Sequence, residues 1–140
     1  MKNSITNVYN YMKTLSEYIN SSDPSDLINK LFEARQTTHV LHLKTKSYAQ
    51  HMALDSFYGD ILGLIDEFVE VYQGQYGIID QASSISVDKS ADPVKYLEEL
   101  CAFVKKARKA LAEEDTHLQN IVDEITATTY RTLYKLKFLK

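Results

Sequence analysis

The sequence predicts an all-α fold, and three observations carry that prediction. Apolar residues recur at three- and four-residue spacing through long stretches, with little of the strict alternation of a strand. Only four Gly and two Pro interrupt the 140 residues, so the elements are few and long. Each proline follows an aspartate, as Asp23-Pro24 and Asp92-Pro93, and this pairing caps a helix and presets its first turn. With 44% hydrophobic residues, the chain holds enough apolar material for one core and reads as a single domain over 1–140.

In chain order, Ile5, Val8, Tyr9, Met12, Leu15 and Ile19 mark an N-terminal helix within an arm over 1–22. Asp23-Pro24 starts a second helix, from 24 to 44, with Leu27, Leu31, Ala34, Thr38 and Leu41 on its apolar face. Ser47-Tyr48-Ala49-Gln50 fits a capping box, which places a reversal within Leu43 to Ser47. The next helix runs from 48 to about 73. Leu54, Tyr58, Ile61, Ile65, Phe68 and Tyr72 form its core face, and Gly74 is its expected C-cap. Residues 75–92 form a long crossover, with a short helix expected near 79–84 and Ile78, Ile79, Ile85 and Val87 as packing residues. Asp92-Pro93 opens another helix, and Asp115 or Thr116 caps the last one. Two hairpins joined by a long crossover, plus an extra N-terminal helix, make the wiring of a ferritin-like four-helix bundle.

Composition narrows the function. A net charge of -3 and a pI near 5.8 oppose nucleic-acid coating by bulk charge. The single Cys101 lies on an apolar face and excludes an internal disulfide framework, which suits a reducing compartment. No apolar run approaches the ~18 residues of a membrane span. The N-terminus lacks the apolar core of a secretion signal, so a cytoplasmic protein is expected. There is no phosphate loop, nucleophile elbow or zinc-finger spacing.

The chemistry concentrates between His39 and Glu70. On one helix at 100° per residue, His51, Asp55, Asp66 and Glu70 fall within about 100° of each other, beside the core face. His51/Asp55 and Asp66/Glu70 are two pairs at i,i+4, each able to meet one ion. The pairs are roughly 16 to 22 Å apart along the helix, far beyond ligand bonds of about 2.0–2.6 Å. A second copy running antiparallel would bring the His/Asp end of one chain to the Asp/Glu end of the other. His39, on the preceding helix, would supply a fifth group. Mixed imidazole and carboxylate donors suit iron, manganese or zinc.

The pattern His39-x11-His51-x3-Asp55-x10-Asp66-x3-Glu70 resembles the ferroxidase signature of the Dps proteins, the mini-ferritins. The resemblance implies that His39, His51 and Asp55 of one subunit face Asp66 and Glu70 of its two-fold mate. It further implies iron as the bound metal, Fe(II) oxidation by peroxide or oxygen, iron sequestration and a homo-oligomeric shell. Val40 stands where that family usually has an aromatic residue, and Lys44-Thr45-Lys46-Ser47 replaces its Gly-Pro turn. The N-terminal arm is not lysine-rich, so strong DNA binding is not expected. The run also resembles short ferritin-like proteins of large tailed phages, which would place the chain in the host cytoplasm or the virion.

Plainer roles compete for several residues. A row of charged residues on a helix is ordinarily a solvated face, and a non-catalytic helical assembly or virion-associated protein is the rival reading. His42 either replaces or assists His39 as a ligand or is a hydrogen-bonded core histidine, and Tyr58 is either an electron relay or core packing. Lys105, Lys106, Arg108 and Lys109 form a short basic cluster, favourable in itself near a helix C-terminus. His117 reads as a surface residue.

Overall fold

The computed structural model describes residues 24–80 and 84–140. Four helices hold most of these residues, with no strand among them: α1 Ser25–Lys44, α2 Tyr48–Tyr76, α3 Pro93–Ala110 and α4 Thr116–Phe138. The expected N-terminal helix, its arm and the Asp23 cap lie outside the described residues, as do residues 81–83.

The helix boundaries follow from their caps. α1 begins one residue later than expected. Pro24 sits at the N-cap rather than in the first turn, and its carbonyl accepts from the Ile28 amide at 2.9 Å. Thr45 leaves the helix in an extended conformation. Ser47 then caps α2, its hydroxyl accepting from the Gln50 amide at 3.2 Å. The Ser47 amide donates to the Thr45 hydroxyl at 3.1 Å, taking the place of the back-bond expected from the Gln50 side chain. Asp92 caps α3 as anticipated, accepting from the Lys95 amide at 3.0 Å with Pro93 in the first turn.

α2 runs past the expected stop at Gly74. It ends at Gly77, whose φ of 95° is open to glycine and strained for other residues. The extra turn carries Gln75 and Tyr76 to the start of α4, where both bond Asp115. The described parts of the crossover are not helical, so the short helix expected near 79–84 has no counterpart at 79, 80 or 84. Ile79 packs on the core, whereas Ile78 and Ile85, expected to pack as well, are exposed.

α1 packs on α2, α2 on α4, α4 on α3 and α3 on α1, while the backbones of α2 and α3 do not approach closely. Gln75 and Tyr76 at the end of α2 meet Asp115 at the start of α4. Lys44 at the end of α1 bonds the Lys89 carbonyl just before α3, at 2.7 Å. The crossover therefore returns along the whole bundle, about 27 Å for a helix the length of α3. α2 and α3 run parallel across the diagonal, and every adjacent pair is antiparallel.

Leu31, Ile61, Ile65, Phe68, Leu100 and Ile125 are fully buried in the shared core. Phe57, absent from the expected core face, is fully buried too, because α2 is wedged between α1 and α4 and buries a wider arc. Buried Thr38, Thr129 and Thr132 satisfy their hydroxyls on carbonyls one turn back, at 2.7, 2.8 and 3.0 Å. Among the described residues, no helix is long and apolar enough to cross a membrane.

Candidate functional site

The short turn between α1 and α2 sets His42, in the last turn of α1, opposite His51, in the first turn of α2. Their rings stack with centroids 3.7 Å apart. Nδ1 of His42 lies 2.8 Å from the His51 carbonyl, and Nδ1 of His51 lies 3.0 Å from the His42 carbonyl. A carbonyl can only accept, so each Nδ1 carries the hydrogen and donates. Nε2 is then the ring nitrogen that each histidine has left for another partner. The bond from His51 also occupies one of the last carbonyls of α1, which have no partner inside the helix. His42 is buried and His51 half-buried.

One turn further along α2, the half-exposed Asp55 carboxylate lies 4.0 Å from Nε2 of His42. It accepts a 2.8 Å hydrogen bond from the Tyr58 hydroxyl. That bond raises the Tyr58 pKa, because an ionised phenol would put two anions in contact. The Tyr58 ring stacks flat on His39, with centroids 4.1 Å apart, and meets His42 edge-on at 5.2 Å. His39, His42, His51, Asp55 and Tyr58 are thus gathered at one end of the bundle.

Asp66 and Glu70 are not part of that gathering. Both are exposed, further along the outer face of α2. Among the described residues, no three His, Cys, Asp or Glu side chains converge to hold an ion within one chain. The surface between the two pairs is open. A Cβ added at Gly59 or Gly63 would meet nothing within 4 Å, and Met52 and Leu62 are exposed beside them.

Several polar groups elsewhere in the bundle are held by neighbours. Asp115 at the start of α4 is buried, and its carboxylate accepts from the Tyr76 hydroxyl and, at 2.8 Å, from Gln75. Those bonds hold its carboxyl below the usual range and push the Tyr76 phenol up to about 12. Asp115 therefore does not cap α4 through its side chain. His117 is exposed as expected, yet its Nε2 lies 2.7 Å from the Gln75 side-chain oxygen, tying α4 to α2. In the basic cluster, Lys105 bonds the Tyr130 hydroxyl and Arg108 makes a two-point pair with Asp123. Cys101 is buried, and burial pushes its thiol pKa up.

All five gathered residues stand out in the sequence, which leaves open the part played by His42. Its signal was the nine-residue gap to His51 across a short reversal, which pairs residues near the two ends of a hairpin.

Fold and side chains together define an all-helical antiparallel bundle with a histidine–carboxylate cluster at one hairpin. The chain belongs to the family described as Family of unknown function (DUF5856), whose profile matches residues 42–136, from His42 on α1 to Leu136 on α4. It is similar to the "Uncharacterized 14.6 kDa protein in mobD-ri intergenic region" of Enterobacteria phage T4. The two are 28% identical over 124 residues, covering 86% of this chain and 95% of the phage protein. No solved structure matches the chain.

Proposed function

We propose that the chain is a Dps-like member of the ferritin-like bundles. In this reading it pairs with a second copy across the outer face of α2, binds iron between the copies and oxidises Fe(II). One observation carries it: His42 and His51 fix their Nδ1–H groups on main-chain carbonyls, and Nε2 of His42 lies 4.0 Å from the Asp55 carboxylate. Metal-binding imidazoles are commonly oriented in this way. The crossover that returns along the bundle, with α2 and α3 parallel, supports the ferritin-like part of the reading.

Asp66 and Glu70 fit the role of the mate's ligands, being exposed and too far along α2 to reach Asp55 of their own chain. An antiparallel partner would place these acidic groups against the histidine end, and Gly59 and Gly63 would permit close approach. The α1 imidazole, His51 and Asp55 would bind from one side, with Asp66 and Glu70 neutralising charge from the other. Tyr58 would hold Asp55 in place. Such a donor set fits iron, and manganese or zinc as well. Fe(II) is the substrate: two ferrous ions each give one electron to a peroxide, which with two protons becomes two waters. Sequestration of the ferric product would follow from a larger shell of such pairs.

The second reading is a non-catalytic helical assembly or virion-associated protein on the same bundle. The similarity to a phage T4 protein favours it, as do Tyr130, Tyr134 and Phe138, exposed in a row along α4. Addition of Fe(II) to the purified protein, with and without peroxide, separates the two when ferric absorbance is followed. An Asp66→Ala/Glu70→Ala double variant should lose at least about tenfold in rate, the scale of a lost ligand interaction. Equal rates in variant and wild type favour the assembly protein.

A further inference from the structure

We infer that the imidazole contributed by α1 to the shared metal site is that of His42, with His39 serving as a packing residue. The inference rests on the metal-site reading above and names a ligand within it. His39 is the histidine that fits the sequence pattern, but the geometry separates the two. Nε2 of His42 lies 4.0 Å from Oδ1 of Asp55. Two donors each about 2.1 Å from one ion stand about 3.4 Å apart in a tetrahedral site, so a closure of about half an ångström would let this pair share an ion. The Nδ1–H of His42 is spent on the His51 carbonyl, which turns Nε2 toward the carboxylate. His51 is held the same way from the other side.

His39 stands one turn back along α1. Its ring face is covered by Tyr58 at 4.1 Å, nearly parallel at 14°, and its centroid is 6.1 Å from that of His42. Tyr58 is itself tied to Asp55, so His39 braces the residue that orients the carboxylate. A structural account of His42, as a buried imidazole beside a carboxylate, needs no ion and predicts no metal-dependent change at Nε2.

Co(II) binding, read by its visible absorption, tests the assignment in the full-length protein. His42→Asn keeps an N–H where Nδ1 stood and removes Nε2, and His39→Phe keeps the stack on Tyr58 and removes both nitrogens. His42→Asn should weaken Co(II) binding at least tenfold, and His39→Phe should change it less than twofold. The reverse order, or wild-type binding in both variants, overturns the assignment. If His42→Asn binds normally while Asp66→Ala/Glu70→Ala does not, the shared site stands and only the choice of histidine falls. A wild type that binds no Co(II) removes both. Should His42→Asn fail to fold, imidazole nitrogen NMR of the wild type decides: Zn(II) should shift Nε2 of His42 and leave His39 in place, and the opposite pattern overturns the inference.

Discussion

His42 and His51 each donate Nδ1–H to the other's main-chain carbonyl, 2.8 and 3.0 Å away, across the turn that joins α1 to α2. The pair therefore closes the hairpin and leaves both Nε2 atoms outside those two bonds. One bond fills a helix-end carbonyl that would otherwise lack a partner, and the stacked rings at 3.7 Å shield it from water.

Replacing His51 by Ala should thus cost stability apart from any effect on metal. The loss of one partly buried hydrogen bond and one ring stack predicts about 1–2 kcal/mol. Urea unfolding should show a lower midpoint with an unchanged slope. A midpoint equal to that of the wild type would mean the pair does not hold the hairpin.

At the opposite end, Tyr76 and Gln75 hold the buried carboxylate of Asp115, and the two shifted groups set opposite pH limits. The Asp115 pKa is lowered, so its contribution is present above its ordinary value near 3.8 and lost as pH falls through the folded value. The Tyr76 pKa is raised to about 12, so its contribution is present below the ordinary 10.0 and lost as pH rises toward 12. Tyr76→Phe should cost about 1 kcal/mol at neutral pH, since Tyr76 is half exposed. The gap from wild type should close below about pH 4 and above about pH 10. Denaturant midpoints across pH test this, and a gap constant with pH would refute it.

The outer face of α2 offers a test of pairing. Gly63→Ala fills open space inside a helix and should stabilise the isolated fold by about 0.5–1 kcal/mol. Gly63→Leu adds a side chain where a second copy would approach closely and should shift sedimentation toward the monomer. Unchanged self-association for Gly63→Leu, with the fold intact, would show that no copy packs on this face.

A shared site also predicts complementation. His51→Ala protein and Asp66→Ala/Glu70→Ala protein should each be inactive alone. If the two are mixed and allowed to exchange, half of the pairs are mixed and each has one intact site, restoring about a quarter of the wild-type sites. Fe(II) oxidation by the mixture reads this directly, and no recovery after verified exchange would exclude ligands from two chains.

Much of the fold was legible because its signals are local. Asp92-Pro93 and Ser47-to-Gln50 mark helix starts through contacts within four residues, and the spacing of Leu54, Ile61, Ile65 and Phe68 marks a buried face. Local signals misplaced the end of α2. Gly74 looks like a stop, but the Asp115 carboxylate, some forty residues further on, holds an additional turn. Phe57 was missed for a similar reason, since the width of a buried arc depends on how many neighbours a helix has.

The candidate site divides along the same line. The sequence by itself determined which donors exist, that His51 and Asp55 share a helical face, and that Asp66 and Glu70 lie too far along that helix to join them. Those points follow from a fixed rise and rotation per residue. Only the tertiary structure decided that His42 stands over Asp55 while His39 lies flat on Tyr58. That choice depends on how α1 is rotated against α2, which is set by the packing between the helices and by two hydrogen bonds across their turn.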